Sequence, residues 1–107
     1  RIAGILDFNN SLSSSLETSL LKMRDSMAHG GPDDSGIYIS DDKKIAFAHR
    51  RLSIIDLSAL GHQPMSNKDK SIWITYNGEI YNFKELRDEL INVGCDFLSK
   101  TDTEVLI

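Results

Sequence analysis

The run Tyr76-Asn77-Gly78-Glu79-Ile80-Tyr81-Asn82 sets an amide side chain, a glycine and a carboxylate side by side at the end of an apolar strand over 72–76. An Asn-Gly pair in that place can aim one side-chain N–H and one backbone N–H at a single point, which is how a site holds a developing oxyanion. Asn-Gly is also a strong tight-turn signal, so a hairpin turn is the competing reading. Other candidates for chemistry are few. His29, His49 and His62 have no ligand spacing with cysteine or with each other, which predicts no metal site. Cys95, the single cysteine, follows a helix stop and reads as a small buried apolar residue. One cysteine excludes an internal disulfide and calls for no oxidising compartment.

The elements that must position these residues can be read from apolar period and turn chemistry. Residues 2–8 form a short strand and turn. Ser14-x-x-Glu17 has the form of a capping box, and Leu12, Leu16, Leu20, Met23 and Met27 fall at helical spacing, predicting a first helix with a buried stripe. It ends near His29-Gly30-Gly31-Pro32, where two glycines and a proline forbid continuation. Residues 36–40 and 45–50 predict two strands across the turn 41–44, and 72–76 predicts another, with Ile72, Ile74 and Tyr76 alternating against Trp73 and Thr75. Gly61-His62-Gln63-Pro64 reads as a surface turn. Asn82 can N-cap a second helix with Leu86 and Leu90 on its buried face and Gly94 as its stop. Thr101-x-x-Glu104 has the form of a third helix start, capped by Thr101. The sequence stops at Ile107 after barely one turn, so the reading is of the front part of a larger domain.

Composition sets outer limits. The 107 residues fit one domain at most, with 40% hydrophobic and 26% charged residues, an ordinary globular balance. A net charge of −4 and scattered basic residues argue against nucleic acid or anionic membrane as a partner. No apolar stretch approaches the roughly 20 residues that cross a bilayer, and no signal peptide is visible. The expectation is therefore a cytoplasmic protein.

Five further segments accompany the run 76–82. They are Ile2-Ala3-Gly4-Ile5 with Met27-Ala28-His29-Gly30-Gly31-Pro32-Asp33, then Ala48-His49-Arg50-Arg51-Leu52-Ser53-Ile54-Ile55-Asp56, then Gly61-His62-Gln63-Pro64-Met65, and last Lys100-Thr101-Asp102-Thr103-Glu104-Val105-Leu106. In this order and spacing the chain resembles, over essentially its whole length, the glutamine-hydrolysing domain of asparagine synthetase, a class II glutamine amidotransferase. The resemblance implies an α+β fold, the N-terminal-nucleophile αββα sandwich, of which residues 1–107 would be a partial domain.

It also implies a division of labour. The family's nucleophile is a terminal cysteine whose own α-amine takes the thiol proton. By this match it would stand one position before Arg1, where the family normally carries glycine. Asn77 and Gly78 match the oxyanion pair. Arg51 matches the residue that grips the substrate carboxylate, a task its planar fork suits, although an arginine at a strand end can also be merely solvated. Backbone groups of Leu52 and Ile54 would help position the substrate, and Glu79 and Asp102 would hold its α-ammonium group. Asp102 could instead serve the macrodipole of a following helix, but Thr101 already supplies that cap. The family normally has arginine after the histidine that matches His29; here Gly30 stands there.

The function implied is hydrolysis of glutamine to glutamate and ammonia for ATP-dependent amidation of aspartate, with magnesium, in a synthetase domain outside these residues. The implied partners are glutamine, that C-terminal synthetase domain and a homodimer mate. Two rivals stand beside it: a catalytically inactive binding or assembly module without the cysteine, and a fragment that pairs with a copy of itself. The residue before Arg1 discriminates the first.

Overall fold

The computed structural model describes residues 1–12, 14–52 and 59–107. Strands β1 (Ile2–Leu6), β2 (Asp34–Ile39) and β3 (Ile45–Arg51) form an antiparallel sheet of order β1-β3-β2. Helix α1 (Leu16–Ser26) covers one face of it. The pleat decides which residues meet the helix, since alternate side chains point to opposite faces. Ala46 and Ala48 of β3 lie opposite Ile5 and Ala3 of β1 and Ile39 and Ile37 of β2, and these six share one face. Leu16 and Leu20 of α1 pack into that face, and with Ala46 and Ala48 they form the core, each 2% exposed or less. Alanine on the central strand lets the helix approach closely. Met23, predicted in the same stripe, is 37% exposed.

The opposite face carries Phe47, His49, Tyr38 and Gly36, and a second, two-stranded sheet lies against it. This sheet pairs β4 (Met65–Ser66) with β5 (Trp73–Ile74). The Trp73 ring stacks on Tyr38 at 4.2 Å, and Thr75 Oγ1 hydrogen-bonds His49 Nδ1 at 3.0 Å. Helix, three-stranded sheet and two-stranded sheet thus form three successive layers of an α+β fold. The strand expected over 72–76 is paired only at Trp73 and Ile74. Ile72 N–H is taken by the Asn67 side chain and Tyr76 N–H by the Gln63 side chain, so neither joins a ladder.

The capping box expected at Ser14 and the cap expected at Thr101 are both absent. Ser15, not Ser14, precedes α1, and it makes no side-chain cap bond. The Asp7 carboxylate instead accepts from Leu12 N at 2.7 Å and from Ser11 N and Oγ at 3.1 Å each, bracing the link from β1 to α1. Those bonds, Leu12 foremost, hold Asp7 below the usual carboxylate range. At the other end, Thr101 caps nothing. Residues Thr103–Leu106 form a 3₁₀ turn preceded by Asp102, and Glu104 reaches back to Leu98 N, Ser99 N and Ser99 Oγ.

Helix α2 (Phe83–Asn92) follows Asn82, whose side chain makes no cap bond. It ends at Gly94 (φ 96°), with Cys95 N–H on Leu90 O and Gly94 N–H on Ile91 O, the paired bonds of a Schellman stop. Leu86 and Leu90 are half-buried. Arg87 lies over the Phe97 ring and donates to Ser99 O and Thr101 O, tying α2 to the segment that leads to Asp102. Cys95, expected to be buried, is exposed. Among the described residues no helix is long and apolar enough to cross a membrane.

Candidate functional site

A cleft of about 400 Å³ opens where the end of β3, the segment 76–79 and the turn at 101–103 converge. Arg51, Leu52, Asn77, Gly78, Glu79 and Asp102 all line it, although they are spread over half the chain. Ile54 lies outside the described residues.

The segment 76–79 is not a hairpin turn. The two-residue hairpin turns need positive φ at the first or at both central residues, and neither Asn77 nor Gly78 has it. The lack of a side chain at 78 serves close packing instead. The Tyr76 ring stands where a Cβ at Gly78 would be. Among the described residues, no hydrogen bond occupies the Asn77 side chain, the Gly78 N–H or the Glu79 carboxylate. Two neighbouring donors therefore border an open cleft with their capacity uncommitted, the condition for binding an oxygen that gains charge.

Across the cleft the Arg51 guanidinium lies over buried Gly61, filling the space a Cβ would take there. Asp102 is 8% exposed, and its Oδ2 accepts Ile80 N–H at 2.8 Å. This acid thus also fixes the loop after Glu79. The Arg51 guanidinium and the Glu79 and Asp102 carboxylates, in a cavity that Arg1 and Arg50 also line, suit a zwitterionic amino-acid head group: the fork for its carboxylate, the acids for its ammonium.

The two departures at positions 1 and 30 meet in space. Arg1 lines the cleft, its side chain covers Gly30, and its Nη1 is bonded to His29 Nε2. A side chain at 30 would begin inside the Arg1 guanidinium, so arginines at both positions are incompatible in this arrangement. The guanidinium beside His29 is supplied from Arg1.

Three lining residues were not singled out by sequence reasoning. Gln63, expected on a surface turn, is buried, as is Pro64; only His62 of that segment is exposed, bonded to Asp34 at 2.9 Å. Buried Thr103 bonds Gln63. His49 is 4% exposed, and burial, reinforced by nearby positive charge including Arg51, pushes its pKa down to about 4, against a smaller opposing pull from Asp34. It is neutral at physiological pH. No local pattern marks any of the three, since each is buried by contacts between distant segments. Among the described residues there is no cluster of three or more His, Cys, Asp or Glu that could hold a metal.

Uncommitted paired donors and charged groups of both signs thus border one cleft on an α+β scaffold. The chain belongs to the glutamine amidotransferase domain family, which it matches over residues 1–107. Its relatives include asparagine synthetases. It is 45% identical over 91 residues to asparagine synthetase [glutamine-hydrolyzing] 1 of Bacillus subtilis (strain 168), covering 85% of this chain and 14% of that protein. It is 43% identical over 107 residues to asparagine synthetase [glutamine-hydrolyzing] 2 of the same organism, covering 99% of this chain and 14% of that one. With a putative asparagine synthetase [glutamine-hydrolyzing] 2 of Methanocaldococcus jannaschii it shares 38% identity, over 99% of this chain and 22% of the relative. The chain therefore spans only a small part of the length of the relatives it matches.

Proposed function

We propose that this chain is the glutaminase portion of an asparagine-synthetase-like amidotransferase, releasing glutamate and ammonia from glutamine. The observation that carries the reading is the pair of uncommitted donors at Asn77 and Gly78 in a cleft lined also by Arg51, Glu79 and Asp102. The nucleophile is a cysteine preceding Arg1, a position that Arg1's place on the cleft wall supports. Its α-amine removes the thiol proton, and the sulfur bonds to the substrate's carboxamide carbon. The carbonyl electrons move onto oxygen, which the Asn77 amide and the Gly78 N–H receive. Collapse breaks the C–N bond, the departing nitrogen takes the proton from the α-ammonium and leaves as ammonia, and water then cleaves the thioester to glutamate and free thiol.

Arg51 holds the substrate's α-carboxylate, backbone groups of Leu52 and Ile54 flank it, and Glu79 with Asp102 holds the α-ammonium. Ammonia passes to a synthetase domain, where ATP with magnesium activates aspartate for amidation. We read the fold as the N-terminal-nucleophile αββα sandwich, and the stacking of α1 on two sheets supports three of its four layers.

The test is glutamate release by the full-length protein with its mature terminus, together with intact mass during turnover. An adduct of glutamyl mass on the residue before Arg1 supports the reading. Absence of any glutamine hydrolysis, with a terminal cysteine present, overturns it in favour of a binding or assembly module.

A further inference from the structure

The loop 61–63 touches all three segments that carry the cleft, and one buried side chain joins two of them. Gln63 is 8% exposed. Its Oε1 accepts Tyr76 N–H at 2.7 Å, immediately before Asn77. Its Nε2 donates to Thr103 Oγ1 at 3.2 Å, immediately after Asp102. Two residues earlier, Gly61 leaves the space that the Arg51 guanidinium fills. Gly36 of β2 lacks the Cβ that would strike the Gln63 carbonyl, so the loop lies directly on the sheet. The glutamine therefore has a fixed floor and two directed bonds of opposite polarity.

We propose that Gln63 is a positioning residue that sets the separation between the Asn77–Gly78 donors and Asp102. The inference rests on the reading of the cleft given above. Its two bonds act on different parts of the reaction. The bond to Tyr76 N–H holds the strand end from which the oxyanion donors project. The bond to Thr103 holds the turn that presents Asp102 to the substrate ammonium. A leucine at 63 would match the volume but leave a backbone N–H and a hydroxyl buried without partners, and both walls would relax.

The test uses steady-state glutamine hydrolysis by the full-length protein in four variants: Gln63→Leu, Thr103→Val, Thr103→Ser and, as a control on the site itself, Asn77→Ala. A shift of about 1 Å in a catalytic group costs on the order of 100-fold, so Gln63→Leu should lower kcat/KM by about that factor, with kcat falling and KM rising. Thr103→Val cuts only the head-group tether and should raise KM about tenfold with kcat near the parent value, while Thr103→Ser keeps the hydroxyl and restores KM. Parental kinetics in both Gln63→Leu and Thr103→Val overturn the proposal. If Gln63→Leu fails to fold, the Thr103 pair decides: a KM raised by valine and restored by serine supports it, and no difference between them refutes it. Unchanged kcat in Asn77→Ala would instead sink the underlying reading of the cleft.

Discussion

Asn77→Ala separates catalysis from stability more cleanly than any other change in this domain. Asn77 is exposed, and among the described residues its side chain has no hydrogen-bond partner. Truncation therefore leaves no buried group orphaned, and the folding free energy should move by no more than about 0.5 kcal/mol. The transition state is a different matter. Removing one of two oxyanion donors costs about 2.7–4 kcal/mol, a fall of roughly 10²–10³ in kcat. Arg51, Glu79 and Asp102 are untouched, so KM should stay close to the parent value. The assay is glutaminase kcat and KM in the full-length protein, beside a thermal melt of the same preparation. A kcat within a few-fold of the parent would refute the oxyanion assignment. So would a large loss accompanied by a matching fall in melting temperature, since that would make Asn77 structural.

Three further outcomes follow from the same geometry. Arg51→Lys replaces a planar fork by a point charge; a lost charge-assisted bond of about 1.5–3 kcal/mol predicts a KM for glutamine raised about 10- to 100-fold with little change in kcat. Gly30→Arg alone should sharply reduce glutaminase activity, because its side chain would enter the space of the Arg1 guanidinium, whereas Arg1→Gly combined with Gly30→Arg should recover most of it; equal activity of single and double variants would show the two positions to be independent. Below about pH 6.5 the unfolded chain takes up a proton at His49 while the folded one does not until about pH 4, so stability should fall by roughly 3 kcal/mol as pH drops through that window and be flat above it. Denaturant midpoints at pH 7 and pH 4.5 should converge in His49→Gln relative to the parent.

How much of this was legible beforehand depends on the range of the interactions. β2, β3 and α2 follow from apolar period and punctuation, because pleat, helical turn and the αL requirement at Gly94 act within a few residues. The caps were misread for an instructive reason. Ser14-x-x-Glu17 and Thr101-x-x-Glu104 have the right spacing, but the Asp7 carboxylate braces the entry to α1 through Ser11 and Leu12, and Glu104 is taken up by the Leu98 and Ser99 amides that precede Thr101. Gln63 and Cys95 were inverted: the glutamine is buried where the 76 and 103 segments bond it, and the cysteine lies exposed beyond the end of α2. Whether Asn77-Gly78 forms a two-residue hairpin turn was open in the sequence, and the backbone angles exclude that turn.

By itself, the sequence determined the family, the element types and the residues with chemical capacity, since motif order and local period are properties of the chain alone. Only the tertiary structure decided that Arg51, Asn77, Gly78, Glu79 and Asp102 border one cleft, that Arg1 supplies the guanidinium over Gly30, and that Gln63 joins the walls. Those facts depend on the packing of residues far apart in sequence, where burial and hydrogen-bond satisfaction are settled across the whole domain.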